Sequence, residues 1–359
     1  MKKIRAAVVC FFDAYPPQSG AGSVINDFFI SLKINKKLFQ YSFLKKKNKL
    51  ISNTNIFFNT PIMKLIFLPI LFFRVFNYLK NAKKKILIIE GASWVFYSFI
   101  FLYFSRHIKN IFIIYKSHNI EYDLRSKKNN FIFKIISKYA ENYVFNNSDI
   151  CTVVSEIDKK KIYKYYNTKP IVFPNSIRKR SIITSSKKKI KKLPKKFIYF
   201  CGSYDYLPNK IAINFLLKKI LPKIKKHRIF LVLSGGGKLK FKDDFFLNLK
   251  ILPKNQIKIL YKNCIALVAP ITLGFGTKLK IIEAMCLGTN IITTRKGLEG
   301  INHPKINNIH IKSKETEIYR SIIYFFNQKK KFKLNNNLIK YYSMEHNTNL
   351  LIKKLNLSK

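Results

Sequence analysis

The residues best suited to chemistry lie in one stretch of the second half of the chain, APITLGFGTKLKIIEAMCLG at 269–288. A buried strand is predicted to end at Ala269, a glycine-rich turn follows, and Thr277 occupies the position of an N-cap for the next helix. Glycines let a backbone approach a ligand closely, and the free N–H groups at a helix start favour a phosphate. Lys278 and Lys280 add positive charge at the same end. The pattern therefore predicts an anion site where this helix begins.

Glu283 is the acid of this stretch. At about 100° per residue, the apolar side chains of the predicted helix share one face, formed by Leu279, Ile282 and Cys286. Glu283 lies on the flank of that face, three residues after Lys280. Spacing alone leaves two interpretations open: a functional acid at the edge of a core, and a surface i,i+3 ion pair.

The elements that must position these residues follow a simple order. Short apolar, β-branched runs alternate with longer amphipathic stretches, which is typical of an α/β protein with parallel sheets. The predicted strands lie at 6–12, 86–89, 111–115, 150–155, 171–173, 197–201, 229–234, 265–269, 290–294 and 308–311. The predicted helices lie at 24–33, 93–104, 131–146, 156–166, 209–224, 255–263, 277–287 and 315–326.

The chain is predicted to contain two doubly wound, Rossmann-like domains. Residues 176–196 are basic and lack a sustained apolar period, so they are predicted to be an exposed linker. The domains are accordingly placed at 1–175 and 197–333, and a helical tail at 334–359. In open α/β sheets, ligands bind beyond the carboxyl ends of the strands.

The charge of the chain is extreme, since 69 Lys and Arg residues face 17 Asp and Glu residues and the net charge is +52. Three explanations stay open: compositional drift with solvated lysines, attraction to an anionic membrane surface, and nucleic-acid binding. Nucleic acid is the least favoured of these, because the lysine runs are scattered between apolar stretches. The 5 cysteines show no CxxC spacing and are predicted to be buried small hydrophobes in a reducing cytoplasm, without a metal site.

Two apolar stretches bear on membrane association. The stretch at 61–79 contains Lys64, Pro69 and Arg74, and the stretch at 92–104 is too short to span a membrane. Neither meets the requirement of about 18 nearly charge-free residues for a spanning helix. They are predicted to be buried helices, with interfacial helices as the alternative.

The stretch at 274–285 resembles the donor-site motif of family 4 glycosyltransferases. It is closest to a subgroup with the pattern G-x-G-T-[RK]-x-K-x-x-E-A-M, and every position of that pattern is filled. The resemblance extends to GLEG at 297–300 and to FCGSYDYLPN at 200–209, which is similar to the opening of that subgroup's C-terminal domain. In the first half it covers PPQSGAG at 16–22, HNIE at 118–121, VSE at 154–156 and FPN at 173–175.

The resemblance implies the GT-B fold, in which two Rossmann-like domains face each other across a cleft and the C-terminal tail, here 334–359, can cross back to the first domain. It implies a retaining, hexosyltransferase-type enzyme that moves a sugar from a nucleoside-diphosphate sugar to a glycan or lipid-linked acceptor, without a metal or other cofactor. Together with the basic, apolar N-terminal half, it suggests surface-polysaccharide or lipopolysaccharide synthesis, peripherally at the cytoplasmic face of the inner membrane. A GT-B sugar-nucleotide epimerase and a basic nucleic-acid-binding protein remain as alternatives.

The resemblance also assigns roles to residues. Glu283 is expected to bind the donor ribose hydroxyls, Lys278 and Lys280 to neutralise the leaving diphosphate, and His118 to lie near the transferred sugar. The implied donor-binding set is Gly20, Gly22, Gly202, Ser203, Asn209, Gly274, Gly276, Thr277, Lys278, Lys280 and Glu283. An ordinary histidine at a strand end remains the alternative for His118, and a plain tight turn the alternative for the two glycines at 20–22.

Two features depart from the broad family's pattern. Phe275 stands where the first Glu of an E-x7-E pair contacts the donor sugar. Backbone N–H groups around the flanking glycines are expected to supply that contact. Ser203 and Pro208 stand where the family has a basic pair, and Lys278 and Lys280 are expected to supply the relocated charge. The donor sugar and its base are left open.

Overall fold

Each half of the chain is organised round one parallel β-sheet. The computed structural model describes residues 4–17, 19–42, 49–126, 131–179, 190, 192–303, 307–328 and 336–355. The chain divides into two compact units, Met1–Pro174 with Leu351–Lys359, and Asn175–Leu350. The α/β class is confirmed, with two parallel sheets covered by helices.

The first unit contains a sheet of seven described strands. These are β1 Ile4–Cys10, β2 Lys36–Ser42, β3 Ile51–Asn55, β4 Lys84–Gly91, β5 Ile111–Ser117, β6 Ile150–Val153 and β7 Ile171–Val172, in the order β3-β2-β1-β4-β5-β6-β7. The described helices are α1 Gly20–Ser31, α2 Pro61–Ile66, α3 Leu68–Leu79, α4 Val95–Ser105, α5 Glu121–Ser126, α6 Phe131–Asn147 and α7 Glu156–Tyr166. The central strands are buried on both faces, as a parallel sheet between helices requires.

The second unit contains a sheet of six described strands. These are β8 Phe197–Cys201, β9 Phe230–Ser234, β10 Phe246–Asn248, β11 Leu267–Ala269, β12 Ile291–Thr293 and β13 Ile309–Ile311, in the order β10-β9-β8-β11-β12-β13. Its described helices are α8 Leu207–Phe215, α9 Leu221–Ile224, α10 Lys254–Asn263, α11 Leu279–Cys286, α12 Glu315–Asn327, α13 Asn336–Tyr341 and α14 Met344–Lys354. A π-helical turn, Leu216–Ile220, joins α8 to α9.

The strand order of both sheets positions the candidate site residues. The direction of progression reverses between β1 and β4 in the first sheet, and between β8 and β11 in the second. Such a reversal opens a crevice at the carboxyl ends of the strands, where α/β proteins bind ligands. The glycine-rich segments of the sequence follow β1, β8 and β11, and so they begin at these carboxyl ends.

Three strands were not predicted: β2, β3 and β10. The prediction missed β2 because Gln40, a fully buried amide, lies in the middle of that strand. Its Oε1 accepts from the backbone N–H of Tyr15, and its Nε2 donates to Asn53 on β3. A buried polar residue that is satisfied by other segments interrupts the apolar run by which a strand is predicted.

The predicted linker at 176–196 differs from the structure at its first residues. Ile177 pairs with Ser343, and its N–H donates to the carbonyl of Tyr342 at 2.9 Å. Asn347 donates to Ser176 at 2.9 Å. This end of the segment is therefore held by the C-terminal helices, while residues 180–189 and 191 of the predicted linker lie outside the described residues.

Helices α2 and α3 are mostly exposed, so the prediction of buried helices at 61–79 is wrong for most of their surface. No residue of α2 is buried, and α3 buries only Leu68, Leu71, Val75 and Leu79, which pack into the core of the first unit. By length and composition, Pro61–Leu79 is sufficient to cross a membrane, although its charges argued against this. The buried face of α3 makes this helix part of the first unit's core.

Glu141, on α6, fixes the start of α5, the helix that follows His118. Its side chain is fully buried and accepts the backbone N–H groups of Glu121 and Tyr122 at 2.8 and 3.1 Å. The hydroxyl of Tyr166 donates to the same carboxyl at 2.8 Å. Two N–H groups that α5 cannot satisfy itself thus find an acceptor on another helix.

We predict that Glu141→Leu lowers the free energy of unfolding of the first unit by about 3 kcal/mol, because buried N–H donors lose their acceptor. Trp94, the single tryptophan, lies in this unit and reports its unfolding in urea by fluorescence. The control is Glu156→Leu, whose side chain is 66% exposed at the start of α7; it should cost less than about 1 kcal/mol. Equal unfolding midpoints for the two variants would contradict the capping role.

Candidate functional site

Asn209 joins the end of β8 to the start of α11. Its Nδ2 donates to the carbonyl of Ser203 at 2.8 Å, and its Oδ1 accepts from Nζ of Lys280 at 2.8 Å. Asn209 is itself buried in the first turn of α8. The structure therefore brings together predicted donor-site residues that lie some seventy positions apart in the chain.

Gly202 makes this arrangement possible. Its φ is +151°, and a Cβ there would lie 2.5 Å from Nδ2 of Asn209 and 2.9 Å from Nζ of Lys280. Any larger residue would displace the amide or the ammonium. The glycine directly after β8 is therefore a steric requirement of the Asn209–Lys280 contact.

Lys280 carries its charge in a desolvated position. Its Nζ lies 4.0 Å from the centre of the Phe200 ring and donates to a neutral amide. The pKa of Lys280 is lowered to about 8, chiefly by burial and to a smaller extent by the nearby ammonium of Lys278. The ammonium thus lies directly beyond β8, beside Gly202; that it supplies the relocated charge stays a prediction.

The loop between β11 and α11 differs in one detail from the prediction. Thr277 is not the N-cap; α11 begins at Leu279, and Lys278 occupies the cap position in extended conformation without a side-chain cap bond. The reason is a second glycine turn, since Gly276 has a φ of +65° and delays the helix. The hydroxyl of Thr277 instead accepts from Nδ2 of Asn175 at 2.8 Å. Nζ of Lys278 donates to the carbonyl of Gly276 at 2.6 Å.

Gly274 lies against the segment that follows β8. A Cβ at this position would be 3.4 Å from both the side chain of Pro208 and the hydroxyl of Tyr206. The glycine-rich loop and the 202–209 segment therefore form one continuous surface within the second unit.

Glu283 is held by a buried tyrosine. Its Oε2 lies 3.1 Å from the hydroxyl of Tyr261, which is also within 3.0 Å of Sγ of Cys201. Burial raises the pKa of Tyr261 well above its ordinary value, so the hydroxyl stays protonated and able to donate. The ammonium of Lys280 donates to Asn209, and the nearby negative charge of Glu283 raises the pKa of Lys280.

In the first unit, His118 belongs to a buried charged cluster at the carboxyl ends of β4 and β5. Its Nε2 lies 2.7 Å from Oε2 of Glu90, whose other oxygen accepts from Nζ of Lys116 at 2.9 Å. Burial opposes ionisation of Glu90, but Lys116 and His118 outweigh it and hold the pKa of that carboxyl below its ordinary value. Lys116 also lies 3.5 Å from the centre of the Phe28 ring on α1. The imidazole of His118 is thus fixed by its contact with Glu90.

Gly20 and Gly22 form the first turn of α1, which begins four residues before the predicted helix start at 24. Ser19 is the N-cap, and its hydroxyl accepts from the N–H of Gly22 at 3.1 Å. A Cβ at Gly20 would touch nothing, whereas one at Gly22 would lie 3.4 Å from the carbonyl of Ala14. The segment is therefore a helix start, and not the tight turn that was the alternative.

Sequence reasoning missed several residues that hold these sites: Glu90, Lys116, Asn175 and Tyr261. Asn175 lies in the FPN segment that carries the resemblance, but its contact with Thr277 had no signal in the sequence. For Glu90 the signal was an acid directly after an apolar strand. In the part of the chain that the structure describes, no three His, Cys, Asp or Glu side chains come together as a metal site; the prediction that no metal or other cofactor is used stays a prediction.

Comparison with known proteins identifies the second unit. Residues 195–328 match the family model described as Glycosyl transferases group 1. This part of the second unit is therefore similar to the glycosyltransferase group 1 family. The match supports the predicted glycosyltransferase family over residues 195–328, while the family 4 subgroup stays a prediction. No curated protein matches the chain in sequence.

Similarity to solved structures extends over both units. Sucrose-phosphate synthase from Thermosynechococcus elongatus gives a TM-score of 0.74 at 11% identity, over 99% of this chain and 100% of that one. HepE from Anabaena, in complex with UDP and glucose, gives 0.72 at 11% identity, over 98% and 99%. UDP-GlcNAc 2-epimerase from Methanocaldococcus jannaschii gives 0.59 at 10% identity, over 99% of both chains. The predicted GT-B fold class is thereby confirmed.

We predict that the affinity for a nucleoside diphosphate is constant below about pH 8 and falls by up to about tenfold per pH unit above it, because Lys280 then loses its charge. An anion favours the protonated form, so binding is strong while Lys280 is charged and weakens as the pH passes its pKa. Calorimetric titration between about pH 7 and 9 measures the profile. Lys280→Arg stays charged throughout and should give a flat profile; parallel profiles for the two proteins would exclude Lys280 as the titrating group.

Proposed function

We propose that the protein is a retaining glycosyltransferase that moves a sugar from a UDP-sugar to a glycan or lipid-linked acceptor. The observation that carries the proposal is the placement of Lys280 and Glu283 on one helix start, directly beyond β8 and β11. Lys280 is held by Asn209, and Glu283 by Tyr261. A cation and a carboxylate in these positions suit the diphosphate and the ribose of one nucleotide.

Glu283 is proposed to accept hydrogen bonds from the ribose hydroxyls. A carboxylate offers two oxygens and therefore suits a vicinal diol. Tyr261 contacts Oε2 of this carboxylate, which leaves the side chain oriented before the donor arrives. Uridine is proposed as the base because HepE, which has the same fold, forms complexes with UDP and with UDP-glucose.

Lys280 is proposed to neutralise the diphosphate as it leaves. Negative charge grows on the β-phosphate while the glycosidic bond of the donor breaks, and a cation placed there beforehand stabilises that charge without reorganisation. Lys278, two residues earlier, is proposed to assist, and backbone N–H groups around Gly274 and Gly276 to contact the sugar where Phe275 replaces an acid. With this charge supplied by side chains, a metal ion is not required for departure of the nucleotide.

In the first unit, His118 is proposed to lie at the reacting sugar. Its contact with Glu90 fixes the ring, and the cluster lies at the strand-order reversal where ligands bind in such sheets. Gly20 and Gly22 are proposed to approach donor or acceptor at the start of α1. The acceptor is proposed to belong to surface-polysaccharide or lipopolysaccharide synthesis at the cytoplasmic face of the inner membrane, a position that suits the +52 net charge.

The reaction type is tested by product analysis with a panel of UDP-sugars, each incubated with and without glycan and lipid-linked acceptors. Transfer to an acceptor, with the anomeric configuration of the donor retained by NMR, is the expected result. Conversion of the UDP-sugar to its epimer without an acceptor would instead assign the chain to the epimerases, to one of which its fold is similar. Activity that is unchanged by EDTA is expected from the proposed role of the lysines.

The site is tested by Lys280→Ala and Glu283→Gln. Lys280→Ala should lower kcat by on the order of 10²- to 10³-fold, because its charge acts mainly in the transition state. Glu283→Gln should mainly weaken binding, by about 10- to 100-fold for donor and free UDP alike, because a charged hydrogen-bond acceptor is lost. Initial rates and UDP titrations measure both effects.

Lys218→Ala, at an exposed lysine of the π-helical turn, is the matched control and should behave as the unchanged protein. Thermal melts establish that the variants are folded. Near-normal rates in folded Lys280→Ala and Glu283→Gln would mean that the donor site does not lie at this helix.

A further inference from the structure

The first unit presents a broad apolar surface, which we call the apolar helix face. It is formed by the outward side chains of α2, α3, α4 and α6, namely Ile62, Ile66, Ile70, Phe73, Phe76, Tyr103, Phe104, Phe131, Ile132, Ile135 and Tyr139. Several of these are more than 60% exposed, including Ile62 at 69%, Phe73 at 65% and Phe131 at 72%. Large exposed apolar patches on soluble proteins mark interaction sites.

These helices form one layer. The inward side chains of α3, α4 and α6 share a single core cluster with the first sheet. Phe72 of α3 packs on Phe101 of α4 with ring centres 5.6 Å apart, and Phe99 of α4 packs on Tyr143 of α6 at 5.0 Å. Their outward side chains therefore lie side by side on the same side of the sheet, as one continuous face.

The face carries positive charge without acids. No Asp or Glu occurs between Asp27 and Glu90, an interval that contains thirteen Lys and Arg residues, and none occurs in α4. The acid of α6 is Glu141, which is fully buried and occupied by hydrogen bonds. Exposed bases lie at the margins of the helices, at Arg74, Lys80, Lys109 and Lys138. An apolar surface bordered by cations and free of acids is complementary to an anionic lipid surface.

We propose that the apolar helix face docks the protein on an anionic lipid bilayer. The helices lie flat in the interface, with Phe and Ile side chains among the acyl chains and the bordering Lys and Arg at the phosphate headgroups. Helix α3 does not cross the bilayer in this arrangement, because Leu68, Leu71, Val75 and Leu79 remain in the core of the first unit. The aromatic residues of the face suit the boundary between headgroups and acyl chains.

A groove between α4 and α6 adds room for an acyl chain. It encloses about 500 Å³ and is lined chiefly by Phe96, Phe99, Ile135, Ile136 and Tyr139. Trp94, the single tryptophan, contacts Phe96 at this end of α4 and Phe133 on α6, with ring centres 5.0 Å away in each case. Its fluorescence therefore reports lipid that enters the groove.

The test is flotation of the full chain with vesicles of phosphatidylcholine alone and of equimolar phosphatidylcholine and phosphatidylglycerol, without any sugar nucleotide. The double variant Ile70→Gln, Phe73→Gln removes two side chains that are 44% and 65% exposed. The matched control Ile251→Gln, Ile311→Gln removes two from the second unit that are 67% and 42% exposed. The unchanged protein and the control should bind the anionic vesicles equally, and the double variant on the order of tenfold more weakly or worse.

Further outcomes decide between occupants of the face. Quenching of Trp94 by brominated acyl chains, lost in the double variant, supports insertion. Equal binding of the double variant and the control, abolished by salt in both, would mean that the net charge alone attracts the protein and would overturn the proposal. The proposal would also be overturned if the unchanged protein were a dimer in the absence of lipid and the double variant a monomer, because the face would then join two copies. UDP binding should be unchanged in the double variant, so failure of docking and failure of the donor site are separate results.

Discussion

The Asn209–Lys280 hydrogen bond is the contact on which the proposed donor site depends. It ties the first turn of α8 to the first turn of α11, and so fixes the two loops that follow the central strands of the second sheet. Gly202 must lack a side chain for this bond to form. Phe200, at the end of β8, supplies the aromatic face under the ammonium. One desolvated cation thus determines the geometry of a surface built from three separate segments.

Each unit contains a buried lysine, and the groups that contact its ammonium differ between the two units. In the first unit, Lys116 has Glu90 as its counterion, so its charge is already neutralised within the fold. In the second, the ammonium of Lys280 donates to a neutral amide and lies over the ring of Phe200. In the proposed function, the first cluster accordingly positions His118 and the second binds a diphosphate.

Much of the fold followed from the sequence because apolar runs and helical periodicity report burial directly. The strands at 197–201 and the helix at 156–166 coincide with the structure, and the motif at 274–283 led to the residues that meet beyond β8. What could not be predicted rests on polar contacts across the chain. The buried polar side chain of Gln40 interrupts the apolar pattern of β2. Gly276 delays the start of α11 beyond Thr277. The contact of Tyr261 with Glu283 has no signature in the local sequence. The exposure of α2 and α3 depends on packing, which composition does not reveal.

The division of the chain has a consequence for its synthesis. The first unit consists of Met1–Pro174 and Leu351–Lys359, and the whole second unit lies between these two segments. Leu351 and Leu355 are buried, at 2% and 7% exposure. During translation the second unit can close its sheet as soon as its own strands have left the ribosome, whereas the first unit receives the segment from Leu351 only after the whole second unit has been made. The part of the molecule that is made first is therefore the part that is completed last.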